Sequence, residues 1–158
     1  MGKFENSDYY IIRYSGGLTI DVLENWAEAL GGHVATINSA AENMYLFKLS
    51  LQRPGHWMVQ DITDGSKQIS GPMIGFVQSP GSEEPGGGWH WLDGEKVTYT
   101  NWKPGGPENA KGHQNFAQFR ANGTEPVPVW DDIDDTQGSV IVEVPVSFGT
   151  SVALDLKQ

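Results

Sequence analysis

The sequence predicts one α+β domain, with two helices early in the chain and antiparallel strands after them. Apolar residues recur at helical spacing over residues 19–30 and again over residues 39–51. From residue 73 onward the pattern changes to short runs of β-branched and aromatic residues, separated by loops rich in Gly and Pro. Helices in one part of the chain and strands in the other are typical of the α+β class.

The first half of the chain contains two predicted strands and both predicted helices. Residues 9–14 are rich in β-forming residues and predict a strand. A helix over residues 19–30 follows and ends at a glycine pair, and residues 33–37 predict a second strand. The second helix is expected to begin at Ser39, because Ser39 and Glu42 have capping-box spacing.

The second half predicts strands joined by long loops. Residues 55–71 are expected to form a connecting loop, with one short strand at 56–59. An Asp-Gly pair after residue 92 is a hairpin signal that joins two of the later strands. These later strands are predicted at 73–77, 89–91, 97–100, 115–119, 129–130 and 140–144. The chain is thus expected to be a single domain over 1–158, with its core at about 9–145 and a C-terminal tail at 146–158 that is an edge strand or the start of a linker.

Charge and composition narrow the possible partners. Twenty acidic against ten basic residues give a net charge of −10, which disfavours nucleic acid and anionic membranes and favours cations. The absence of cysteine excludes thiol chemistry and thiolate metal sites. No apolar run is long enough to span a membrane, so we expect no membrane insertion. The opening residues do not resemble a signal peptide, and the sequence leaves export open.

Oxygen-bearing side chains gather between residues 89 and 132. They lie around Trp130 and around a Gly/Pro-rich loop at 103–112, with few basic residues among them. A hard cation such as Ca²⁺ requires six to eight oxygen ligands from side chains, carbonyls and water, brought together by irregular backbone. The stretch therefore offers the oxygen ligands of a cation site. For residues 131–135, however, the residues alone favour a solvated acidic loop over a metal site.

Short motifs between residues 9 and 145 resemble those of C-type lectin-like domains and stand in the same order. They are W-A-E-A-L-G-G-H-V-A-T-I-N-S-A-A-E-N from Trp26, I-G-F at Ile74, W-H-W-L-D-G at Trp89, T-N-W at Thr100, G-P-E at Gly106, V-W-D-D at Val129 and V-I-V-E at Val140. The acidic, cysteine-free loop after Ile74 is most similar to bacterial members, some of which are ligand-binding modules of large adhesins. The resemblance implies a C-type lectin-like fold, with two helices packed on antiparallel sheets and long ligand-binding loops.

The resemblance also implies a loop-bound calcium ion. In sugar-binding members the ion is held by a Glu-Pro-Asn or Gln-Pro-Asp triplet with a usually cis proline, a downstream Glu, and an Asn-Asp pair after a Trp. The triplet here is Gly106-Pro107-Glu108, in which Gly106 lacks a ligating side chain. This loss counts against ordinary monosaccharide specificity. The metal ligands implied are Glu108, Gln114, Asp131 and Asp132, and the implied ligand-binding residues are Glu108, Asn109, Gln114, Asp131 and Asp132.

A second metal position is implied at Glu42 and Glu143. Some members of the family bind a structural Ca²⁺ there, and two carboxylates brought together in a core repel unless a cation or proton lies between them. A capping-box role is the alternative for Glu42.

Other conspicuous residues are expected to be structural. The tryptophans at strand spacing are more often core residues than sugar platforms, and the four histidines are scattered without metal-ligand spacing. The chain has no nucleophile elbow, P-loop or zinc-protease motif, so we expect no enzyme activity.

Together these features predict an extracellular or cell-surface adhesion module, part of a larger protein, that uses a loop-bound Ca²⁺ to bind a glycan or a peptide. The alternative is a metal-free structural or protein-interaction domain that keeps only the lectin-like fold.

Overall fold

The computed structural model describes residues 1–15, 19–61, 64–110, 112–134 and 138–146. It contains two α-helices and ten strands within these residues. In chain order they are β1 (Gly2–Phe4), β2 (Ser7–Tyr14), α1 (Ile20–Ala29), β3 (His33–Val34), α2 (Ala40–Leu51), β4 (Met58–Asp61), β5 (Lys67–Ser70), β6 (Met73–Gln78), β7 (Trp89–Trp91), β8 (Phe116–Asn122), β9 (Glu125–Ile133) and β10 (Gly138–Pro145). None of the described helices is long and apolar enough to cross a membrane.

Both helices begin directly after a capping residue, Thr19 for α1 and Ser39, as predicted, for α2. The Thr19 hydroxyl accepts a hydrogen bond from the backbone N–H of Val22, at the start of α1. The Ser39 hydroxyl accepts one from the backbone N–H of Glu42, at the start of α2. Each cap satisfies a donor that the first helical turn leaves without an intrahelical partner. The two predicted helices are therefore confirmed.

The strands form one mixed sheet and a separate hairpin. The main sheet has the order β1-β2-β10-β6-β8-β9, with β3 paired to β10 and β7 paired to β6. All its pairings are antiparallel except that of β10 with β6. The hairpin of β4 and β5 is the second sheet. Because β9 lies at one edge, its outer side is open to the loop that precedes β8.

Tryptophans fill the core behind that edge. Trp91 and Trp130 are fully buried, and Phe76 packs against both with ring centroids 4.5 and 5.8 Å away. Trp130 donates its indole N–H to the Asn43 side chain at 2.7 Å, and Asn43 donates to the carbonyl of Pro128 at 2.8 Å. These bonds fix α2 to β9, so the edge strand is rigidly placed.

Several predicted boundaries were wrong. The strand expected at 97–100 is absent, although all of its residues are described. After the turn at Gly94 the chain is held by the β3–α2 segment instead, through hydrogen bonds from Thr36 to Asp93 and from Thr98 to Asn38. The short strand expected at 56–59 is found at β4, two residues later, whereas β1 and β5 were not predicted, and β8 and β9 are longer than expected.

Candidate functional site

The candidate site lies where the 103–114 loop, described at residues 103–110 and 112–114, crosses the end of β9. The chain just before the loop pairs with β9: the Trp130 N–H donates to the Asn101 carbonyl at 2.7 Å, and the Lys103 N–H donates to the Trp130 carbonyl at 2.8 Å. This register places Lys103 beside Asp131 and Asp132, which follow Trp130 along the strand. Buried Trp130 thus positions both sides of the site.

Asp132 holds the middle of the loop. Its side chain is buried at 3% exposure. One carboxylate oxygen accepts the backbone N–H of Glu108 at 3.0 Å, and the other accepts that of Asn109 at 2.6 Å. Hydrogen bonds to an ionised acceptor are stronger than neutral ones, so Asp132 fixes the backbone just after the proline.

Asn109 and Gln114 close the loop. Asn109 has a positive φ of 46°, which its short polar side chain tolerates. Its side-chain oxygen accepts the backbone N–H of Gln114 at 3.0 Å, and the Gln114 amide donates to the Asp132 carbonyl at 3.0 Å. The Gly106–Pro107 bond is cis, as the resemblance implied. The structure therefore brings together Glu108, Asn109, Gln114, Asp131 and Asp132 at one place.

Lys103 occupies the centre of this group, and the sequence analysis did not single it out. Its ammonium lies 2.5 Å from Oε1 of Glu108 and 2.8 Å from Oδ1 of Asp131. The Lys103 side chain is only 7% exposed, against 16% for Asp131 and 47% for Glu108. Arg120 approaches the other oxygen of Asp131 at 3.9 Å. A buried ion pair thus joins the loop to β9.

Electrostatics keep this lysine charged. Burial alone would lower the pKa of Lys103, but its hydrogen bonds and charge interactions with Asp131 and Glu108 outweigh burial, and the pKa is raised above 10.5. The ammonium is therefore a permanent cation of the site at physiological pH.

The residues do not fit a Ca²⁺ ion in this arrangement. Glu108 and Asp131, which would face the ion, share the Lys103 ammonium, and both oxygens of Asp132 accept backbone N–H groups. Within the described part of the chain, no group of three or more His, Cys, Asp or Glu side chains is placed to hold a metal. Gln114 retains one feature of a ligand, since its buried Oε1 has no hydrogen-bond partner there. Calcium binding stays a prediction from the resemblance.

The lysine side chain also explains the glycine of the triplet. A Cβ built on Gly106 would lie 2.9 Å from Cγ of Lys103 and 3.4 Å from its Cε. The first of these distances is shorter than real Cβ contacts, and Cγ, close to the backbone, has little freedom to move away. A side chain at residue 106 and the observed position of Lys103 are therefore mutually exclusive.

The second pair of predicted metal ligands makes its hydrogen bonds away from the 103–114 loop. Glu42 accepts the Tyr9 hydroxyl at 2.7 Å and the Asn38 N–H at 3.0 Å, and Glu143 accepts the Ser7 hydroxyl at 2.7 Å. Burial raises the pKa of Glu42 above 4.5, and the charge of Glu143 adds to this, whereas the two hydrogen bonds oppose it. Glu42 serves in the helix cap only through its backbone N–H, since its carboxylate bonds elsewhere.

Comparisons with known proteins agree with this architecture. No protein-family model matches the chain. The 30 kDa spicule matrix protein of Hemicentrotus pulcherrimus is 33% identical over 70 residues, which are 44% of this chain and only 18% of that protein. The carbohydrate-recognition domain of the mouse scavenger receptor C-type lectin is 25% identical, with a TM-score of 0.63 over 91% of this chain and 92% of that one.

A second similar structure is of a calcium-independent protein. A calcium-independent type II antifreeze protein is 21% identical, with a TM-score of 0.61, over 91% of this chain and 90% of that one. The same frame therefore occurs in a carbohydrate-recognition domain and in a calcium-independent antifreeze protein. Two helices on a mixed sheet, with a long loop crossing its edge, give this chain the C-type lectin-like fold.

Proposed function

We propose that this chain is a ligand-binding module that recognises a glycan through the exposed face of the 103–114 loop. The observation that carries the proposal is the Asp132 clamp, which holds the backbone of Glu108 and Asn109 in one conformation. A loop fixed before binding loses little conformational entropy when a ligand arrives. Side chains on such a loop present a defined pattern of polar groups to solvent.

The polar groups of this loop suit a hydroxyl-rich ligand. The Glu108 carboxylate is half exposed and accepts hydrogen bonds, while the Asn109 side chain adds an amide donor beside the oxygen that accepts the Gln114 N–H. Sugar hydroxyls both donate and accept, so they complement a carboxylate beside an amide. The similarity to the carbohydrate-recognition domain of the scavenger receptor lectin supports a glycan over a peptide.

We propose further that this binding does not require calcium. The Lys103 ammonium already neutralises the carboxylates of Glu108 and Asp131 and joins the loop to β9. A bound cation at this place would do the same. There are two alternatives. One is the calcium-dependent binding that the sequence resemblance implies, and the other is a metal-free structural domain that has no glycan ligand. The experiment below separates them from the proposal.

A glycan array and a peptide library, each probed with calcium and with chelator, test the proposal. We expect glycan binding that is equal under both conditions and is lost in Glu108→Ala and Asn109→Ala. Glu125→Ala and Asn122→Ala, exposed residues of the same types at the β8–β9 turn, are matched controls that should bind normally. Binding of peptides alone would reject the glycan ligand, loss of binding in chelator would reject the metal-free mode, and no binding to either library would favour a structural role.

We also propose that the module acts by binding alone, outside the cell, as an adhesion element of a larger protein. The lectin domains that it resembles in fold are binding domains, and the acidic surface suits an interaction that is not with nucleic acid or anionic lipid. Protease treatment of intact cells that make the whole protein should remove the module, and protection from protease would contradict this location.

A further inference from the structure

We propose that the Lys103 ammonium replaces a bound calcium ion in the 103–114 loop, and that removing this side chain turns the loop into a calcium site. The proposal concerns the stability and metal response of the loop, so it stands whether or not the ligand is a glycan.

The first observation is where the ammonium lies. It contacts one carboxylate from the loop, Glu108, and one from β9, Asp131, and so bridges the two segments that a cation at this place would join. The lysine stem is nearly fully buried and its backbone is anchored on Trp130, so the ammonium is delivered to this point by a fixed segment. Without a cation the neighbouring carboxylates would repel each other in a partly desolvated site.

The second observation is independent of charge. Gly106 has no positive φ, so its backbone conformation does not demand glycine. Glycine is required instead because a Cβ there would lie 2.9 Å from Cγ of Lys103. The Lys103 side chain thus occupies space that a side chain at residue 106 would need. An internal cation at residue 103 therefore excludes an additional oxygen ligand at residue 106.

The surroundings after removal of the ammonium would suit a hard cation. Glu108 and Asp131 would lose their shared partner, and Gln114 offers a buried amide oxygen that has no hydrogen-bond partner in the described part of the chain. Water and backbone carbonyls supply the remaining oxygens in calcium sites of this kind. Asp132 would remain engaged with the loop backbone and keep the site in shape.

Thermal unfolding with chelator and with calcium tests the proposal on three variants and the wild type. We expect the melting temperature to be the same in calcium and in chelator for three of these proteins. They are the wild type, Lys103→Arg, which keeps a cation, and Lys48→Ala, which removes an exposed lysine on α2. Lys103→Ala should melt lower than the wild type in chelator. A millimolar site should raise its melting temperature by about 3–6 °C in about 10 mM calcium.

A steric test uses Gly106 in two backgrounds. Gly106→Ala should lower the melting temperature of the wild type but change that of Lys103→Ala much less, because the clash with Cγ of Lys103 is gone. Equal losses in both backgrounds would show that the two residues are not coupled.

Each outcome decides the matter. A rise in the melting temperature of the wild type with calcium that is as large as that of Lys103→Ala would show that the ammonium does not replace the ion. The proposal would also be overturned if Lys103→Ala had the same melting temperature in calcium and in chelator. The same holds if Lys103→Ala were unfolded in chelator and stayed unfolded in calcium. If Lys103→Ala is unfolded in chelator, recovery of its circular dichroism on addition of calcium supports it. Glycan binding plays no part in these readouts, so failure of the proposed function would leave them unchanged.

Discussion

Replacing Asp132 with alanine is expected to destabilise the protein by about 2–4 kcal/mol, although its carboxylate accepts hydrogen bonds only from backbone N–H groups in the described structure. The carboxylate is buried and accepts two backbone N–H groups, those of Glu108 and Asn109, at 3.0 and 2.6 Å. Alanine leaves both donors without this partner. The expected loss of stability therefore comes from two backbone N–H groups that lose their acceptor, and it does not depend on a metal.

The magnitude follows from the two bonds. A hydrogen bond to a charged group contributes about 1.5–3 kcal/mol, so two bonds give about 3–6 kcal/mol. Relief of the repulsion between Asp132 and its neighbour Asp131, and water reaching the partly exposed loop backbone, reduce this to about 2–4 kcal/mol. Asp132→Asn retains one acceptor oxygen and should lose about half as much.

Urea unfolding, monitored by tryptophan fluorescence, measures this loss. For a chain of this length, about 2–4 kcal/mol corresponds to a fall in melting temperature of about 5–15 °C. Asp61→Ala is the matched control, because its pair with Lys67 spans 3.9 Å between two exposed side chains and should contribute less than about 0.5 kcal/mol. Both variants are compared with wild type in calcium and in chelator.

Two results would contradict this expectation for Asp132. Asp132→Ala that unfolds within about 0.5 kcal/mol of the wild type would mean that water replaces the carboxylate without loss. A loss that appears only in calcium would mean that Asp132 acts as a metal ligand and that the clamp is secondary.

Other parts of the fold give predictions of the same kind, each measured by urea unfolding. In the wild type, burial is the main cause that raises the pKa of Glu42 above 4.5, so the unfolded state releases this proton at lower pH than the folded state. The free energy of unfolding therefore falls as pH rises from 4.5 through the folded pKa. Glu42→Gln removes this titration and should flatten the pH dependence of stability. An unchanged pH profile in the variant would contradict this. Trp130→Phe removes the donor to the buried Asn43 oxygen at 2.7 Å and should lose at least about 1–3 kcal/mol; a neutral effect would mean that another donor takes its place. Gly32→Ala places a Cβ 2.0 Å from the carbonyl oxygen of Glu143 and should lose about 1–3 kcal/mol, and wild-type stability would show that the α1–β3 turn is free to move.

The helices and their caps were predictable because their signals are local. Thr19 and Ser39 cap helices that begin at the next residue, and apolar spacing within each helix identifies its buried side. β5 and its pairing with β4 were missed because the described side chains of these two strands are mostly exposed and show no buried alternation, so nothing local distinguishes the hairpin from a loop. The strand predicted at 97–100 failed because hydrogen bonds from distant residues redirect that segment.

The site was predictable only in part. The motif order placed Glu108, Asn109, Gln114 and the aspartates together, and they do meet. The role of Lys103 depends on the pairing of Trp102 with Trp130, which are far apart in sequence, and no local pattern reveals that register. One signal was present: a lysine directly after the T-N-W motif, in a stretch otherwise dominated by acidic and amide side chains. Considering its charge as a possible partner of the carboxylates would have identified it.

The most direct test of the account is a crystal structure of the wild-type chain grown in about 10 mM calcium, a concentration that occupies weak extracellular sites. We predict that the Lys103 ammonium lies within hydrogen-bonding distance of both Glu108 and Asp131 in this crystal, and that no metal density lies between the two carboxylates. An ion with six to eight oxygen ligands at this position, and the lysine side chain turned out into solvent, would contradict it.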